Sequence, residues 1–382
     1  MGDLATRYAY ENRYVRDVDE FLRRVVAKTI VPHQLEIQPG PEIGKSICWL
    51  KCPYCYGGSS KNTDERLEHE RYLDILRQSA NGPHGGIPKV IFAGYATDPL
   101  FYGGVDELLG VVRENGQVFG FHTKAIQVSD KLIELLTQPD IPEKSYFSVS
   151  VDAGNGESYA RVHGIEKGGT RLYPRVLENL TRLVEARDAT GAPLDISATY
   201  LITREKGSDE EIDAAIRDLR ATGVDLIRFS FPQVPRGYED DGEGPIPSRS
   251  EIDRIMARIE AKVAAADSDR TSVVLRDLDA EYEIGDIRTL PCFARFVFPT
   301  IGFDGFLANC SESAAPHFRA MALGDLRATD FWDAYYDYDV ERFEEQLIEA
   351  QQKMVAHGCR CDRKEHVVNS ILRDARALTD CA

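Results

Sequence analysis

The chain has 382 residues, of which 43% are hydrophobic and 29% are charged, a composition typical of a folded globular protein. Its 63 acidic residues outnumber its 46 basic ones, and the net charge of −17 disfavours nucleic acid as a partner. No apolar run is long enough for a membrane-spanning helix, and residues 1–17 lack the apolar core of a secretory signal, so we predict a cytoplasmic protein without a membrane partner.

Strand-like and helix-like segments alternate along most of the chain. Runs rich in β-branched and aromatic residues predict strands at 35–38, 89–93, 117–122, 146–151, 194–202, 225–231 and 272–275. Apolar residues at helical spacing predict helices at 65–78, 105–113, 129–136, 174–187, 209–221 and 252–265. Because parallel neighbours need a crossover that a helix supplies, this order predicts a parallel sheet, either open or closed into a partial barrel.

The pattern changes after about residue 278. Residues 291–310 combine proline, glycine and two cysteines with short apolar stretches, which predicts a small hairpin around a ligand, and an acidic helical region follows residue 323. We therefore predict an N-terminal helical extension at 1–33, a barrel-forming domain at 34–280 and a small α+β domain at 281–382. The Gly/Pro/Asp-rich stretch 235–247 predicts either a long loop over the sheet or a plain surface insertion.

Three of the eight cysteines stand close together. Cys48, Cys52 and Cys55 follow the first predicted strand in the spacing C-x3-C-x2-C. Clustered thiols in a reducing compartment indicate metal rather than disulfides. Because a four-iron cube usually takes four cysteines, three would leave one iron open to another ligand. Structural zinc is the alternative, although the nearest histidine, His69, is distant in sequence.

This spacing, with the aromatic Tyr54 before the third cysteine, resembles the radical S-adenosylmethionine superfamily over about residues 33–310. The resemblance implies that Cys48, Cys52 and Cys55 hold a 4Fe-4S cluster whose open iron binds S-adenosylmethionine. It implies cleavage of the sulfonium to methionine and a 5′-deoxyadenosyl radical, with an external electron donor of the flavodoxin or ferredoxin type. The implied fold is α/β, a partial (β/α)6 TIM-like barrel with a small C-terminal α+β domain for an auxiliary iron–sulfur cluster.

Other cofactor-binding residues follow from the same resemblance. Gly94, Thr97 and Asp98 stand where the family has a glycine-rich turn whose acidic residue receives the methionine ammonium, although this chain departs from that turn. An ordinary turn begun by Asp-Pro is the alternative. Ser150 and Asp152 lie on one alternating face of the fourth strand, and the resemblance directs them to the ribose hydroxyls or the methionine carboxylate. The alternative for Asp152 is to cap the following helix.

Candidate functional groups lie near the ends of three further strands. The third strand ends with His122, Thr123 and Lys124, at a position where barrel folds place functional groups; a solvated strand end is the alternative. Tyr200 and Thr203, near the end of the fifth strand, and Arg228, in the sixth, are predicted to line a substrate cavity. Arg228 stands in an otherwise apolar strand and needs an anionic partner or solvent, so we assign it as a proton acceptor or a substrate clamp.

A second cysteine group lies in the last hundred residues. Cys292 and Cys310 form a C-x12-G-x4-C pattern that resembles the start of the SPASM/twitch extension of radical enzymes. Gly305 would supply the positive φ of the tight turn between them. Cys359 and Cys361 would complete the ligands of a second, auxiliary 4Fe-4S cluster, with zinc as the alternative. Cys381 is left over, or replaces one of that pair.

Two enzymatic functions fit this sequence. The first is radical oxidation or epimerisation of a small polar substrate, such as a sugar or aminocyclitol in natural product biosynthesis, with the auxiliary cluster accepting the remaining electron. The second is maturation of a ribosomally made precursor peptide. Only 47 residues precede Cys48, fewer than the leader-binding module of such enzymes, which favours the small substrate. A zinc-stabilised binding protein is the non-enzymatic alternative.

Overall fold

The computed structural model describes residues 14–41, 48–52, 55, 65–94, 97–203, 208–231, 248–266, 268, 270–275, 291–359, 361, 364–365, 368–369 and 371–372. The chain forms two compact units. The first unit comprises Met1–Gln38, Glu65–Val90 and Tyr282–Ala382, and the second comprises Pro39–Asp64 and Ile91–Glu281. The domain limits 1–33, 34–280 and 281–382 stay predictions.

Ten strands and ten α-helices are found in the described part of the chain. The strands are β1 (Leu35–Ile37), β2 (Lys89–Phe92), β3 (Val118–Thr123), β4 (Tyr146–Ser150), β5 (Asp195–Leu201), β6 (Leu226–Ser230), β7 (Ser272–Leu275), β8 (Thr300–Ile301), β9 (Phe306–Ala308) and β10 (Gly324–Asp325). The helices are α1 (Val18–Val26), α2 (His69–Ala80), α3 (Val105–Glu114), α4 (Asp130–Leu136), α5 (Gly156–Val162), α6 (Leu172–Thr190), α7 (Asp209–Thr222), α8 (Arg249–Ala266), α9 (Phe331–Tyr335) and α10 (Phe343–Ala356).

The second unit contains a parallel sheet in which β3 to β7 lie side by side in chain order. Each of these strands is followed by at least one helix before the next begins, so the predicted βα units are confirmed. The helices bury their apolar stripes, as α6 does with Val176, Leu180 and Leu183, each no more than 1% exposed. Parallel order also brings the carboxyl ends of all five strands to one edge, where side chains from distant parts of the sequence meet.

The first unit contains a smaller mixed sheet. β1 runs parallel to β8, and β9 pairs antiparallel with both β8 and β10. The turn between β8 and β9 includes Gly305, whose φ of +89° lies in the region that favours glycine. The predicted hairpin between Cys292 and Cys310 and the positive φ of its glycine are therefore confirmed. With α9 and α10 after the sheet, the α/β fold class with a small C-terminal α+β part is confirmed as well.

Helix α5 is an element that the sequence does not predict. It has only seven residues and begins within the glycine-containing run after β4, so its apolar periodicity is weak. A capping box fixes its start, because the Asn155 side chain accepts hydrogen bonds from the amides of Glu157 and Ser158. The predicted loop at 235–247 lies outside the described residues. Among the helices described, none is long and apolar enough to span a membrane.

We expect the packing of α6 to contribute strongly to the stability of the second unit. Leu180→Ala should lower the free energy of unfolding by about 2–5 kcal/mol, because it leaves a cavity under a fully buried side chain. Glu185→Ala, on the exposed face of the same helix, should change it by less than about 0.5 kcal/mol. Thermal unfolding followed by circular dichroism compares the two variants, and equal shifts in Tm would contradict the described orientation of α6.

Candidate active site

The first cysteine group lies in the second unit. Cys48 and Cys52 are half-buried and Cys55 is exposed, and the amide of Cys55 donates to the carbonyl of Cys52 at 3.0 Å. Burial and the negative charges of Asp98, Cys52 and Cys55 raise the pKa of Cys48 to about 12. The sulfurs of Cys52 and Cys55 and the carboxylate of Asp98 are thus close enough for the charge of each to raise the pKa of Cys48. Three thiolates at these positions would repel one another unless a positive charge, such as that of a metal, lies between them.

The donor set of this loop suits an iron–sulfur cluster. None of the seven described cysteines forms a disulfide. Among the described residues, no three His, Cys, Asp or Glu side chains are arranged to hold a single metal ion. Cysteine thiolates are the usual ligands of a four-iron cube. They bind different irons of the cube, so they lie farther apart than the ligands of a single ion. Tyr54, predicted to belong to the cofactor site, lies outside the described residues.

Asp98 joins the end of β2 to the end of β3. Its side chain is 5% exposed and caps the short 3-10 helix after β2, where Oδ1 accepts from the amide of Leu100 at 3.0 Å. Oδ1 also accepts from Thr123 Oγ1 at 2.7 Å, and Oδ2 accepts from the amide of Lys124 at 2.6 Å. Since a carboxylate has about four acceptor sites, about one remains for another donor. Asp98 thus forms the turn that the Asp-Pro alternative predicted. Its carboxylate can also accept about one further hydrogen bond from a ligand.

In the turn before Asp98, the backbone of Gly94 lies close to that of Thr97. A Cβ atom on Gly94 would lie 1.7 Å from the carbonyl oxygen of Thr97, so a side chain at that position cannot fit without moving the backbone. Thr97 is buried, and its Oγ1 donates to the carbonyl of Pro39 at 3.2 Å. Gly94 therefore allows its own backbone to lie close to the backbone of Thr97.

Asp152 forms an ion pair with Lys124. It is fully buried at the end of β4, with a φ of +55°, and its Oδ2 lies 2.7 Å from Lys124 Nζ. Its Oδ1 accepts from the amide of Leu201 at 2.8 Å, which links the end of β4 to that of β5. Asn155 caps α5, so the alternative that assigned this role to Asp152 is wrong. The partner that a buried carboxylate requires is supplied by the protein itself.

Lys124 places a positive charge inside this edge of the sheet. Burial alone would lower the pKa of Lys124, but the nearby charges of Asp152, Cys52 and Asp98 and the hydrogen bond to Asp152 raise it above the usual value. The ammonium group therefore stays charged. One of its three N–H donors pairs with Asp152, and the group lies within electrostatic reach of the cysteine loop.

Two further residues of this region, Tyr159 of α5 and His163 at its C-cap, were not singled out from the sequence. His163 is fully buried, and its Nδ1 lies 3.1 Å from Cys52 Sγ. The hydroxyl of Tyr159 is buried and has no hydrogen-bond partner among the described residues. Burial and the charges of Asp98, Asp152 and Cys52 raise the pKa of Tyr159, so the phenol keeps its proton. The i, i+4 spacing of Tyr159 and His163 would have placed them on one face had α5 been predicted.

Tyr200 and Arg228, two of the residues predicted to line a substrate cavity, lie on opposite faces of the sheet. Thr199 is registered with Arg228, and Tyr200 with Phe229, so alternation directs Tyr200 and Arg228 to different sides. Arg228 is half-buried and donates from Nη2 to Thr199 Oγ1 at 3.2 Å. Burial and the charge of Glu211, on α7, raise the pKa of Tyr200, which is fully buried.

Because of this geometry, Tyr200 and Arg228 cannot both line one cavity. Ser150, the other predicted cofactor residue of β4, is half-buried. It is registered with Thr199, so it lies on the same face of the sheet as Arg228.

The second cysteine group lies in the first unit. Cys292, Cys310 and Cys361 are buried, Cys359 is half-buried, and Cys381 lies outside the described residues. Burial raises the pKa of each of the four, and the charge of Cys292 further raises the pKa values of the other three. The backbone amide of Cys361 donates to the sulfur of Cys359. The four thiols are therefore gathered in one region.

Polar side chains surround these four thiols. Asn369 Nδ2 lies 3.8 Å from Cys292 Sγ, and Ser313 Oγ lies 3.6 Å from Cys310 Sγ. The buried carboxyl groups of Glu312 and Glu365 act on the thiols and raise their pKa values. Buried thiols with hydrogen-bond donors beside them suit a metal cluster, because the metal supplies the positive charge that stabilises thiolates.

We expect the Lys124–Asp152 pair to be essential for the stability of the second unit. Lys124→Met leaves the carboxylate of Asp152 buried without its cation and should lower the free energy of unfolding by about 3–5 kcal/mol. Adding Asp152→Asn should recover part of this loss, because a neutral amide needs no counter-charge. Thermal unfolding of the iron-free protein measures both effects, with the exposed Lys167→Met as control. A single variant as stable as the control would contradict the described pairing.

Comparisons with known proteins agree with this site. Residues 45–219, which include the loop Cys48, Cys52 and Cys55, match the family model of the Radical SAM superfamily. No curated protein matches the chain. Among solved structures, Streptococcus suis SuiB bound to S-adenosylmethionine is 18% identical, with a TM-score of 0.56 over 84% of this chain and 70% of that chain.

Two further solved structures share the fold. SuiB bound to precursor peptide SuiA is 18% identical, with a TM-score of 0.55 over 83% of this chain and 69% of that chain. Native anSMEcpe with bound AdoMet and Kp18Cys peptide is 14% identical, with a TM-score of 0.53 over 82% and 83% of the two chains. The likeness extends beyond residues 45–219, as the predicted SPASM/twitch-like extension requires. Residues 45–219 of this chain therefore match the Radical SAM superfamily, and the likeness to these solved structures shows the fold.

Proposed function

We propose that the chain is an enzyme that removes a hydrogen atom from an unactivated C–H bond, with a 4Fe-4S cluster on Cys48, Cys52 and Cys55. When bound, the cluster supplies the electron that splits S-adenosylmethionine into methionine and a 5′-deoxyadenosyl radical. One observation carries the proposal. The cysteine loop lies within electrostatic reach of a buried network that contains both Asp98 and Lys124.

That network offers the groups that an amino acid moiety requires. The positive charge of the Lys124 ammonium suits the methionine carboxylate, and the remaining acceptor site of Asp98 suits the methionine ammonium group. Asp152 keeps Lys124 charged and in place. Because Asp98 and Asp152 are at most 5% exposed, water competes weakly for these contacts. Ser150 remains the proposed partner of the ribose.

The fold neighbours support a peptide substrate. SuiB was solved with precursor peptide SuiA, and anSMEcpe with the Kp18Cys peptide. We therefore propose a ribosomally made peptide as the substrate, with the small polar sugar or aminocyclitol as the second candidate. Arg228 would bind an anionic or hydroxylated group of either, since its half-buried guanidinium already donates to Thr199.

We further propose that Cys292, Cys310, Cys359 and Cys361 hold an auxiliary 4Fe-4S cluster that accepts the electron left after hydrogen removal. The support is that these thiols are gathered in one region, beside the side chains of Asn369 and Ser313. An external donor of the flavodoxin or ferredoxin type would supply the electron for each cleavage.

The cysteine assignments predict the iron content and the activity of defined variants. Anaerobically reconstituted protein should hold about eight irons, four in each cube, and Cys292→Ala should lose about four of them. The triple change Cys48→Ala, Cys52→Ala and Cys55→Ala should abolish 5′-deoxyadenosine formation. Iron and sulfide assays and chromatography of the nucleoside measure these effects.

Cys381→Ala is the matched control and should keep full iron content. Zinc without sulfide in the native protein would contradict the iron assignment. Full iron and full turnover in Cys292→Ala would contradict the second cluster alone.

The substrate class can be tested without knowing the substrate. An anaerobic lysate from a strain that lacks this chain is separated by size, and each fraction is assayed for stimulation of 5′-deoxyadenosine formation. We expect the stimulating fraction to lose its effect after protease digestion, because a peptide substrate is destroyed. A small fraction whose stimulation survives protease would contradict the peptide and support the sugar-like substrate. Protease that is inactivated before it meets the substrate fraction is the control.

A further inference from the structure

His163 contacts the cysteine loop through both its side chain and its backbone. Its Nδ1 lies 3.1 Å from Cys52 Sγ, and its carbonyl oxygen accepts from the amide of Lys51 at 2.9 Å. The next residue, Gly164, has a φ of +60°, and a Cβ atom there would lie 2.6 Å from the carbonyl oxygen of Lys51. The end of α5 is therefore built to approach the loop closely.

The imidazole ring is held on its other sides as well. Its Nε2 lies 3.4 Å from the carbonyl oxygen of Val151, and the ring of Tyr159 packs edge-on against it with centroids 4.3 Å apart. His163 is fully buried. The Tyr159 ring and the burial of the imidazole limit its rotation, so Nδ1 stays directed at Cys52. With the hydrogen on Nδ1 of a neutral ring, Nε2 has none to donate, and its approach to the Val151 carbonyl is a contact and not a hydrogen bond.

The chemistry of the sulfur decides the direction of this hydrogen bond. A cysteine sulfur that binds iron carries no proton, so the contact is a hydrogen bond only when Nδ1 carries the hydrogen. Hydrogen bonds to cluster sulfurs withdraw negative charge and are among the factors that set the reduction potential. A buried bond of this kind acts in a medium of low dielectric constant, which strengthens it.

We infer that His163 is a positioning residue that donates its Nδ1–H to the Cys52 sulfur, fixes the cysteine loop and raises the reduction potential of the cluster in the second unit. This inference rests on the proposed function, since it assumes that Cys52 binds iron. It assigns no chemistry on the substrate to His163.

The test compares two substitutions at this position in the reconstituted full-length enzyme. His163→Phe keeps a planar ring but has no donor, whereas His163→Asn keeps a neutral N–H donor near the position of Nδ1. His84→Phe is the control, because His84 is an exposed histidine of the first unit. The readout is the midpoint potential of the cluster whose electron paramagnetic resonance signal changes when S-adenosylmethionine is added. Iron content is measured in parallel.

We expect a lower midpoint potential in His163→Phe, a potential close to the native one in His163→Asn, and no change in His84→Phe. Native potentials in both His163 variants at full iron content would overturn the inference. If His163→Phe fails to hold the cluster, His163→Asn decides: a loaded cluster with the native potential supports the donor role, and a loaded cluster with a lowered potential, or no loaded cluster, overturns it.

Failure of the proposed function is distinguishable from failure of this inference. If the native protein binds no iron or forms no 5′-deoxyadenosine, the proposed function is wrong. If the native protein does both and its potential is insensitive to His163, only the inference is wrong.

Discussion

The arrangement of the second unit depends on one cation, Lys124, whose side chain is 16% exposed. Lys124 Nζ lies 2.7 Å from Asp152, and its charge acts together with those of Asp98 and Cys52. Without it, the buried carboxylate of Asp152 would lose the cation that pairs with it, which is unfavourable by about 3–5 kcal/mol. The same ammonium therefore stabilises the ends of β3 and β4 and prepares the edge of the sheet for a charged ligand.

The parallel sheet explains why these groups meet. Asp98, Lys124 and Asp152 are each separated from the next by more than twenty residues in the sequence. Each nevertheless follows a strand that ends at the same edge of the sheet. Such an edge concentrates side chains from several strands, and barrel enzymes place their functional groups there. Cys52 reaches the same region from a loop, and the contact with His163 at the end of α5 connects that loop to the strands.

Much of this could be predicted from the sequence, because it depends on local patterns. Seven strands are found within a few residues of their predicted limits, since β-branched runs and turn residues bound them. The cysteine spacing and the glycine of the C-terminal hairpin are equally local signals. The partner of Asp152 could not be predicted, because its pairing with Lys124 depends on the register of two strands. Side chains alternate between the two faces of the sheet along β5 and β6. The sequence does not show which face Tyr200 and Arg228 occupy, because this depends on the register of the two strands.

The two cysteine groups differ in their electrostatic surroundings. Cys52 is close to the cation of Lys124 and the ring of His163, whereas the thiols of the first unit are close to the carboxyl groups of Glu312 and Glu365. We propose that the first group holds an iron–sulfur cluster with one iron open to S-adenosylmethionine. The most direct measurement is the electron paramagnetic resonance spectrum of the reduced, oxygen-free protein with and without S-adenosylmethionine. We expect a signal that changes when S-adenosylmethionine is added. A spectrum that does not respond would show that no iron of the cluster is open to S-adenosylmethionine.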